Sequence, residues 1–385
     1  MKKKTGKQRK LIPLARPYFD KAEEKAVVSV IRSGWVTQGP KVEELENLVK
    51  EYVGAKNAVA VSSATTALFL SLYLKGIAPG DEVIVPSFSF IASANVIVHV
   101  GAKPVFIDID PKTYNLDPEK IEGLITKKTR AIIAVDQVGL PCNLDRIRQI
   151  AAKHKLFVLE DAACAIGSQY QGRKIGSISE VTCFSFHPRK LVTTGDGGMI
   201  VTNSQKLANR ARILRHQGMG ISDMVRHKSK VIIHEKYPEI GFNFRMTDIE
   251  AAVGIEQMKK LPRALKEREK LAKRYDQAFS KSKYLTPPFI PEGYLSNRQT
   301  YIIRLSQKAK ITRDGLMQKL LTAGIATRRG VMASHLEAPY RKLLGRISLP
   351  ETEKAVKETI AVPLYPRMTI NEQDDVIEKI LKYIQ

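Results

Sequence analysis

Three cysteines in 385 residues, Cys142, Cys164 and Cys183, are too few for a disulfide framework, and none shows the C-x-x-C spacing of a zinc or iron–sulfur site. They are expected to be reduced and buried or half-buried, and no metal site is expected. Long apolar runs are missing as well. Every hydrophobic stretch is broken by Pro, Ser or Gly before the roughly 18 residues that a bilayer-spanning helix needs, so no membrane span is expected. The opening MKKKTGKQRK runs into LIPLARP and not into an apolar segment with a cleavage site, so no secretory signal is read and a cytoplasmic location is expected. Acidic residues are in deficit: 39 Asp and Glu face 63 Lys and Arg, a formal charge of +24. Such an excess first suggests nucleic acid or an anionic surface. However, Lys2, Lys3, Lys4, Lys7, Arg9 and Lys10 crowd a disordered-looking tail, 1–10, and stretches such as 259–274 alternate Lys and Arg with apolar positions, as solvated helix faces do. Specific nucleic-acid binding is therefore not expected, although the charge would help attract a phosphorylated substrate.

What the chain does contain is a regular alternation. Short runs rich in Val, Ile and Phe fall at 57–63, 81–87, 103–110, 130–137, 155–162, 181–187 and 198–204, with helical stretches between most of them. Continuous apolar strands separated by helices predict a mostly parallel sheet covered on both faces. The texture changes after a helical segment near 247–283: residues 284–300 are rich in Pro, Gly, Ser and Tyr, and a smaller α+β part follows, with a strand at 300–306 and helices at 312–324 and 371–384. The reading is a large α/β domain over 11–260 and a smaller C-terminal domain over 261–385, with the boundary near 255–285. The N-terminal 20–50 residues could pack on either.

Ligands of parallel α/β sheets sit beyond the carboxyl ends of the strands, and three such ends stand out. SSATTAL (62–68) closes a strand with hydroxyls and small residues and opens a helix, which suits a phosphate; taken alone, the same residues read more readily as an ordinary N-cap by Ser63 or Thr65. LFVLEDAACAIGS (156–168) ends an apolar strand in Glu160 and Asp161, carboxylates that are costly to bury without a cation and that otherwise cap the next helix. CFSFHPRKLVTTGDGG (183–198) places Lys190 between two apolar strands, in a loop whose glycines permit close backbone approach; a lysine so placed loses proton affinity by burial and becomes a candidate for Schiff-base formation. A phosphate cradle, an acid for a ring nitrogen and a lysine for an aldehyde are together what pyridoxal 5′-phosphate (PLP) chemistry requires.

With these motifs the chain resembles the DegT/DnrJ/EryC1/StrS family of sugar aminotransferases, from GWVTQGPKVEELE (34–46) to the C-terminus. VPSFSFIASAN (85–95), GAKPVFIDID (101–110), EDAACAIGS (160–168), SFHPRKLVTTGDGG (185–198), GFNFRMTDIEAAVGIEQMKKL (241–261) and VPLYPRMT (362–369) stand in the family's order. The resemblance implies the PLP-dependent transferase fold type I: a mostly parallel seven-stranded sheet flanked by helices, plus a smaller α+β C-terminal domain. It implies Lys190 as the Schiff-base lysine and Asp161 as the partner of the pyridinium nitrogen. Ala64, Thr65 and Ser185 should hold the phosphate, and Phe90 should stack on the cofactor ring. Asn243 should reach the phosphate of a neighbouring subunit, which implies a homodimer with composite sites. Two positions depart from the family: Ala64 stands where Gly is usual, and Cys164 stands where His or Gln commonly contacts the cofactor's phenolic oxygen. A thiol is the weaker hydrogen-bond partner.

The implied reaction moves an amino group from glutamate to a nucleotide-linked keto-sugar to give an amino-sugar, as in amino-sugar and polysaccharide biosynthesis. For the sugar substrate, TRRGVMASHLEAPY (327–340) offers Arg328, Arg329 and His335, and the basic segment 226–237 is a candidate for the nucleotide side. Two alternatives remain open. Family dehydratases usually replace the Schiff-base Lys with His, which Lys190 argues against; a catalytically inactive regulatory or nucleic-acid-binding relative is the reading that the charge suggests.

Overall fold

The computed structural model describes residues 11–221, 226 and 229–385; the basic tail 1–10 lies outside the described residues. Two helices, α1 (Lys21–Ser33) and α2 (Pro40–Val53), precede a sheet built from β1 (Asn57–Val61), β2 (Glu82–Pro86), β3 (Lys103–Ile107), β4 (Thr129–Val135), β5 (Phe157–Asp161), β8 (Val181–Ser185) and β9 (Gly198–Thr202). The spatial order is β1-β9-β8-β5-β4-β2-β3. β9 alone runs antiparallel to its neighbours, and all other pairings between adjacent strands are parallel. Helices α3 (Ala64–Leu74), α4 (Ala92–His99), α5 (Leu144–His154) and α6 (Gln205–Leu214) cover the sheet. Burial on both faces explains why the central strands read as unbroken apolar runs: all five residues of β1, β2, β8 and β9 are buried. The sheet separates two apolar cores, one holding Ile132 and Ala134 of β4 and the other Ile133 and Val135.

Helix α7 (Asp248–Phe279) starts at a Thr247–Glu250 capping box and runs 32 residues, about 48 Å. Its first half places Ile255, Met258 and Leu261 in one of the two cores of the seven-stranded sheet. Beyond Pro262 its second half places Leu271, Ala272, Tyr275 and Phe279 in a separate core. That second core lies against an antiparallel sheet of order β10-β12-β14-β13, formed by β10 (Leu285–Thr286), β12 (Tyr301–Leu305), β13 (Arg328–Arg329) and β14 (Thr359–Val362). Helices α8 (Arg313–Thr322) and α11 (Ile370–Tyr383) contribute Leu316, Leu320, Val376 and Ile380 to it, while α9 (Ala338–Leu344) and α10 (Pro350–Glu358) complete this part of the chain. Ile12 belongs by packing to this second core, through a parallel bridge to Ile325, although its place in sequence groups it with the larger domain. α1 and α2 instead lie along α7.

The Pro- and Gly-rich segment after α7 is more than a linker. Its strand β11 (Tyr294–Leu295) pairs with β6 (Gln169–Tyr170), itself paired with β7 (Arg173–Lys174), so the chain is tied back to the large domain just before it enters β12.

Candidate active site

The carboxyl ends of β1, β5 and β8 converge on a cavity of about 230 Å³ lined by Ser63, Ala64, Thr65, Phe90, Asp161, Cys164, Ser185 and Lys190. Seven of the residues expected at a cofactor, Ala64, Thr65, Phe90, Asp161, Cys164, Ser185 and Lys190, are thereby brought together from parts of the chain 126 positions apart.

At one end stands the N-terminus of α3. Ser63 is its N-cap, with its Oγ accepting from Thr66 N–H at 3.1 Å. The first N–H groups of a helix have no intrahelical acceptor, and this cap satisfies only that of Thr66, leaving those of Ala64 and Thr65 to the cavity. β9 closes in from the side. A Cβ on Gly198 would lie 2.4 Å from the Ser63 carbonyl and 2.6 Å from Ala64 N, so only glycine lets the strand lie this close to the helix start. An open helix N-terminus with hydroxyls beside it suits a phosphate group.

At the other end is Asp161, buried at the tip of β5. Its Oδ2 accepts from Ser93 Oγ at 2.7 Å and its Oδ1 from Ala163 N–H at 3.2 Å. Burial pushes its carboxyl above the usual carboxylate range, against the pull of Ser93, Ala163 and the charge of Lys190. A buried acid whose only cationic counterweight among the described residues is a lysine across the cavity is matched to a ligand that brings its own positive charge. Phe90, 69% exposed, hangs over the space between. Lys190 is half-buried, with its Nζ 3.0 Å from Cys164 Sγ. A flat group with a phosphate at one end, a cationic ring nitrogen at the other and an aldehyde toward Lys190 fits this arrangement, and PLP is such a group.

Residues 17–381 match the DegT/DnrJ/EryC1/StrS aminotransferase family. The chain belongs to that family. It is 39% identical to the spore coat polysaccharide biosynthesis protein SpsC of Bacillus subtilis over 97% of each chain, and 38% identical to the GDP-perosamine synthase of Caulobacter vibrioides over 95% of this chain and 96% of that one. The PLP-form of Spr1654 from Streptococcus pneumoniae superposes with a TM-score of 0.90 at 32% identity, over 97% of this chain and 98% of that one. The protein is thus a PLP-dependent sugar aminotransferase of fold type I.

Not every expected site residue of this sugar aminotransferase lies in the cavity. Asn243 is exposed outside it, in the GFNFRM loop, bridged to His216 and accepting from Arg245 Nε at 3.2 Å. Arg328 and Arg329, on β13, line an adjoining cavity of about 390 Å³ that shares Phe90, Gln137, Cys164, Arg189 and Lys190 with the first. His335 requires a correction, because it faces neither cavity. It is 2% exposed and its Nδ1 lies 2.6 Å from Ser87 Oγ, which also accepts from the His335 N–H at 3.0 Å. It joins the loop after β13 to the end of β2. Of the basic segment 226–237, His227 and Lys228 lie outside the described residues, and Val231 and Ile232 are exposed.

Sequence reading also missed residues that hold the site in place. Asn297 Nδ2 donates at 2.8 Å to the carbonyls of both Cys164 and Ile166, and its Oδ1 accepts from Gln299 N–H at 2.9 Å. Gln299 in turn accepts from Leu191 N–H at 3.1 Å and donates to the Arg189 carbonyl. The Cys164 turn and the Lys190 loop are thus clamped by the segment after β11. Asn297→Ala removes three hydrogen bonds, two of them buried, and is expected to lower the unfolding free energy by about 2–3 kcal/mol in urea titrations. An unchanged urea midpoint would deny the clamp its weight.

Proposed function

We propose that the protein moves an amino group from glutamate to a nucleotide-linked keto-sugar, using Lys190 as the amine that carries the cofactor's aldehyde carbon. The observation that supports this most is the convergence of Lys190, Asp161 and the open N-terminus of α3 on one cavity. PLP, when bound, supplies an electron-poor ring that stabilises charge at the carbon losing a proton. Asp161, held by Ser93 and Ala163, presents the negative charge that favours a protonated ring nitrogen. The N–H groups of Ala64 and Thr65, with Ser185, hold the phosphate, and Phe90 covers the ring. Lys190, freed when the donor's amine takes its place, would be the base that moves the proton from the donor's Cα to the cofactor's carbon. PLP would hold the amino group between donor and acceptor, so that the net change turns the amino acid into its keto acid and the keto-sugar into an amino-sugar.

The adjoining cavity favours anionic substrates. Arg189, Lys190, Arg328 and Arg329 line it, and no acidic side chain among the described residues does. Burial and the charge of Arg328 hold the Arg189 guanidinium below its usual range, the condition of a cation short of anions. Asn243 faces outward, as befits a residue that completes the site of a partner subunit in a homodimer.

The test is a screen of nucleotide keto-sugars with glutamate, scored by 2-oxoglutarate release, on protein loaded with PLP. Turnover with at least one acceptor is expected, with Arg328→Ala raising an anionic substrate's KM about tenfold and leaving kcat less affected. Release of 2-oxoglutarate with none of the acceptors would remove the nucleotide-sugar reading.

A further inference from the structure

Three carboxyl groups stand together at the ends of β4 and β5: Asp136, Glu160 and Asp161. The parallel register sets Ala134 beside Glu160 and Val135 beside Asp161, and Asp136 continues it by donating its N–H to the Asp161 carbonyl at 3.1 Å. Side chains alternate along strands. Asp136 therefore shares the face of Ala134 and Glu160, whereas Asp161 projects from the opposite face toward the cofactor cavity. Thr182, beside Glu160 on β8, lies on the same face as Glu160, and its Oγ1 donates to Glu160 Oε2 at 2.6 Å.

Both residues behind the sheet are completely buried, and neither is in an ion pair among the described residues. Asp136 Oδ1 accepts from Cys142 N–H at 2.9 Å. That leaves Asp136 Oδ2 and Glu160 Oε1 buried on the same face of neighbouring strands, with no hydrogen-bond partner among the described residues. Two such carboxyls can satisfy each other only when one of them carries a proton to donate. Burial raises both carboxyls; the charges of Glu160 and Asp161 push Asp136 further, well above its usual range, whereas donation from Thr182 works against the rise at Glu160.

We propose that Asp136 keeps its proton at neutral pH and donates it to Glu160, so that Glu160 is a fixed second negative charge behind Asp161 that favours protonation of the cofactor's ring nitrogen. This rests on the reading of Asp161 as that nitrogen's partner. Glu160 lies outside the cofactor cavity, and Asp136, whose strand end borders it, is itself fully buried, so the pair acts on the ring through its field. The proton also limits the cluster. With three ionised carboxyls in one buried site, Asp161 itself would be driven to take up a proton and would lose the charge the ring needs. One proton on Asp136 leaves two charges, one on each side of the sheet.

The experiment loads the protein with PLP labelled with nitrogen-15 in the ring and reads the ring-nitrogen resonance, alongside PLP affinity by spectral titration. Glu160→Gln removes the charge and is expected to move the resonance toward the unprotonated position and to weaken PLP binding about tenfold. Asp136→Asn keeps both donation and charge, since an amide donates as the protonated acid does, and the resonance is expected to stay where it is. Asp161→Asn, as the control, must move it. An unmoved resonance in Glu160→Gln with a moved one in Asp161→Asn overturns this inference alone; an unmoved one in Asp161→Asn overturns the reading it rests on. A shift in Asp136→Asn equal to that in Glu160→Gln overturns the assignment of the proton. Should Glu160→Gln fail to fold, infrared spectra decide: a protonated-carboxyl band in the wild type that Asp136→Asn abolishes supports the inference, and its absence in the wild type overturns it.

Discussion

Lys190→Ala is expected to lower transamination by at least about 10⁴-fold while leaving the fold intact. The loss is large because two tasks fall on one amine: it carries the cofactor, and it moves the proton between donor and cofactor carbons. The fold is expected to survive because little of it depends on the side chain. Among the described residues Lys190 makes no ion pair, and its Nζ hydrogen-bonds only to Cys164 Sγ. The loop itself is held through its backbone, by Gln299 at Arg189 and Leu191 and by the Lys190 N–H donating to the His187 carbonyl at 2.8 Å. Lys190→Arg is expected to be as inactive as Lys190→Ala, since a guanidinium keeps its proton at any working pH and cannot act as a base. Three measurements check this: borohydride trapping of PLP on the Lys190 peptide of the wild type, its absence in both variants, and 2-oxoglutarate release. Undiminished turnover in Lys190→Ala would take the central role from this residue.

The sheet was legible because burial on both faces leaves a mark in one dimension: runs such as NAVAV and EVIVP admit no polar face. The antiparallel direction of β9 was not, since a buried strand has the same composition whichever way it runs. Its placement becomes intelligible only with Gly198 seen against the Ser63 carbonyl. Lys190, Asp161 and the start of α3 were legible because each is a chemistry-bearing residue at a strand's carboxyl end. Asn297 and Gln299 were not, because they sit in a segment whose prolines, glycines and serines read as a connector. His335 misled for the same kind of reason in reverse. A histidine among arginines reads as a ligand, and nothing local reveals that Ser87, 248 positions away, holds it in the interior.

Asp161→Asn is expected to lower transamination roughly 10²–10³-fold, and to do so while making the cofactor-free protein more stable at neutral pH. The two effects have one cause. In the cofactor-free protein the Asp161 carboxyl is pushed above its ordinary value of 3.8 by burial. The folded state therefore binds a proton more tightly than the unfolded chain, and stability falls as pH rises from the unfolded value through the raised folded one. Above that window ionised Asp161 opposes folding, and asparagine, which still accepts from Ser93, removes the opposition. The melting temperature of cofactor-free Asp161→Asn is thus expected to exceed that of the wild type at neutral pH and to approach it at acidic pH, where Asp161 is protonated. Added PLP should reverse the order, since only the carboxylate gains a counter-ion from a protonated ring, and ligand binding stabilises in proportion to affinity. Scanning calorimetry of both proteins, with and without PLP, at neutral and acidic pH reads every term. Equal PLP-induced shifts in the two proteins would mean that Asp161 does not face the ring nitrogen, whatever the variant's activity. A destabilised cofactor-free variant would mean that the buried charge is already compensated, and that Lys190 alone is counter-ion enough.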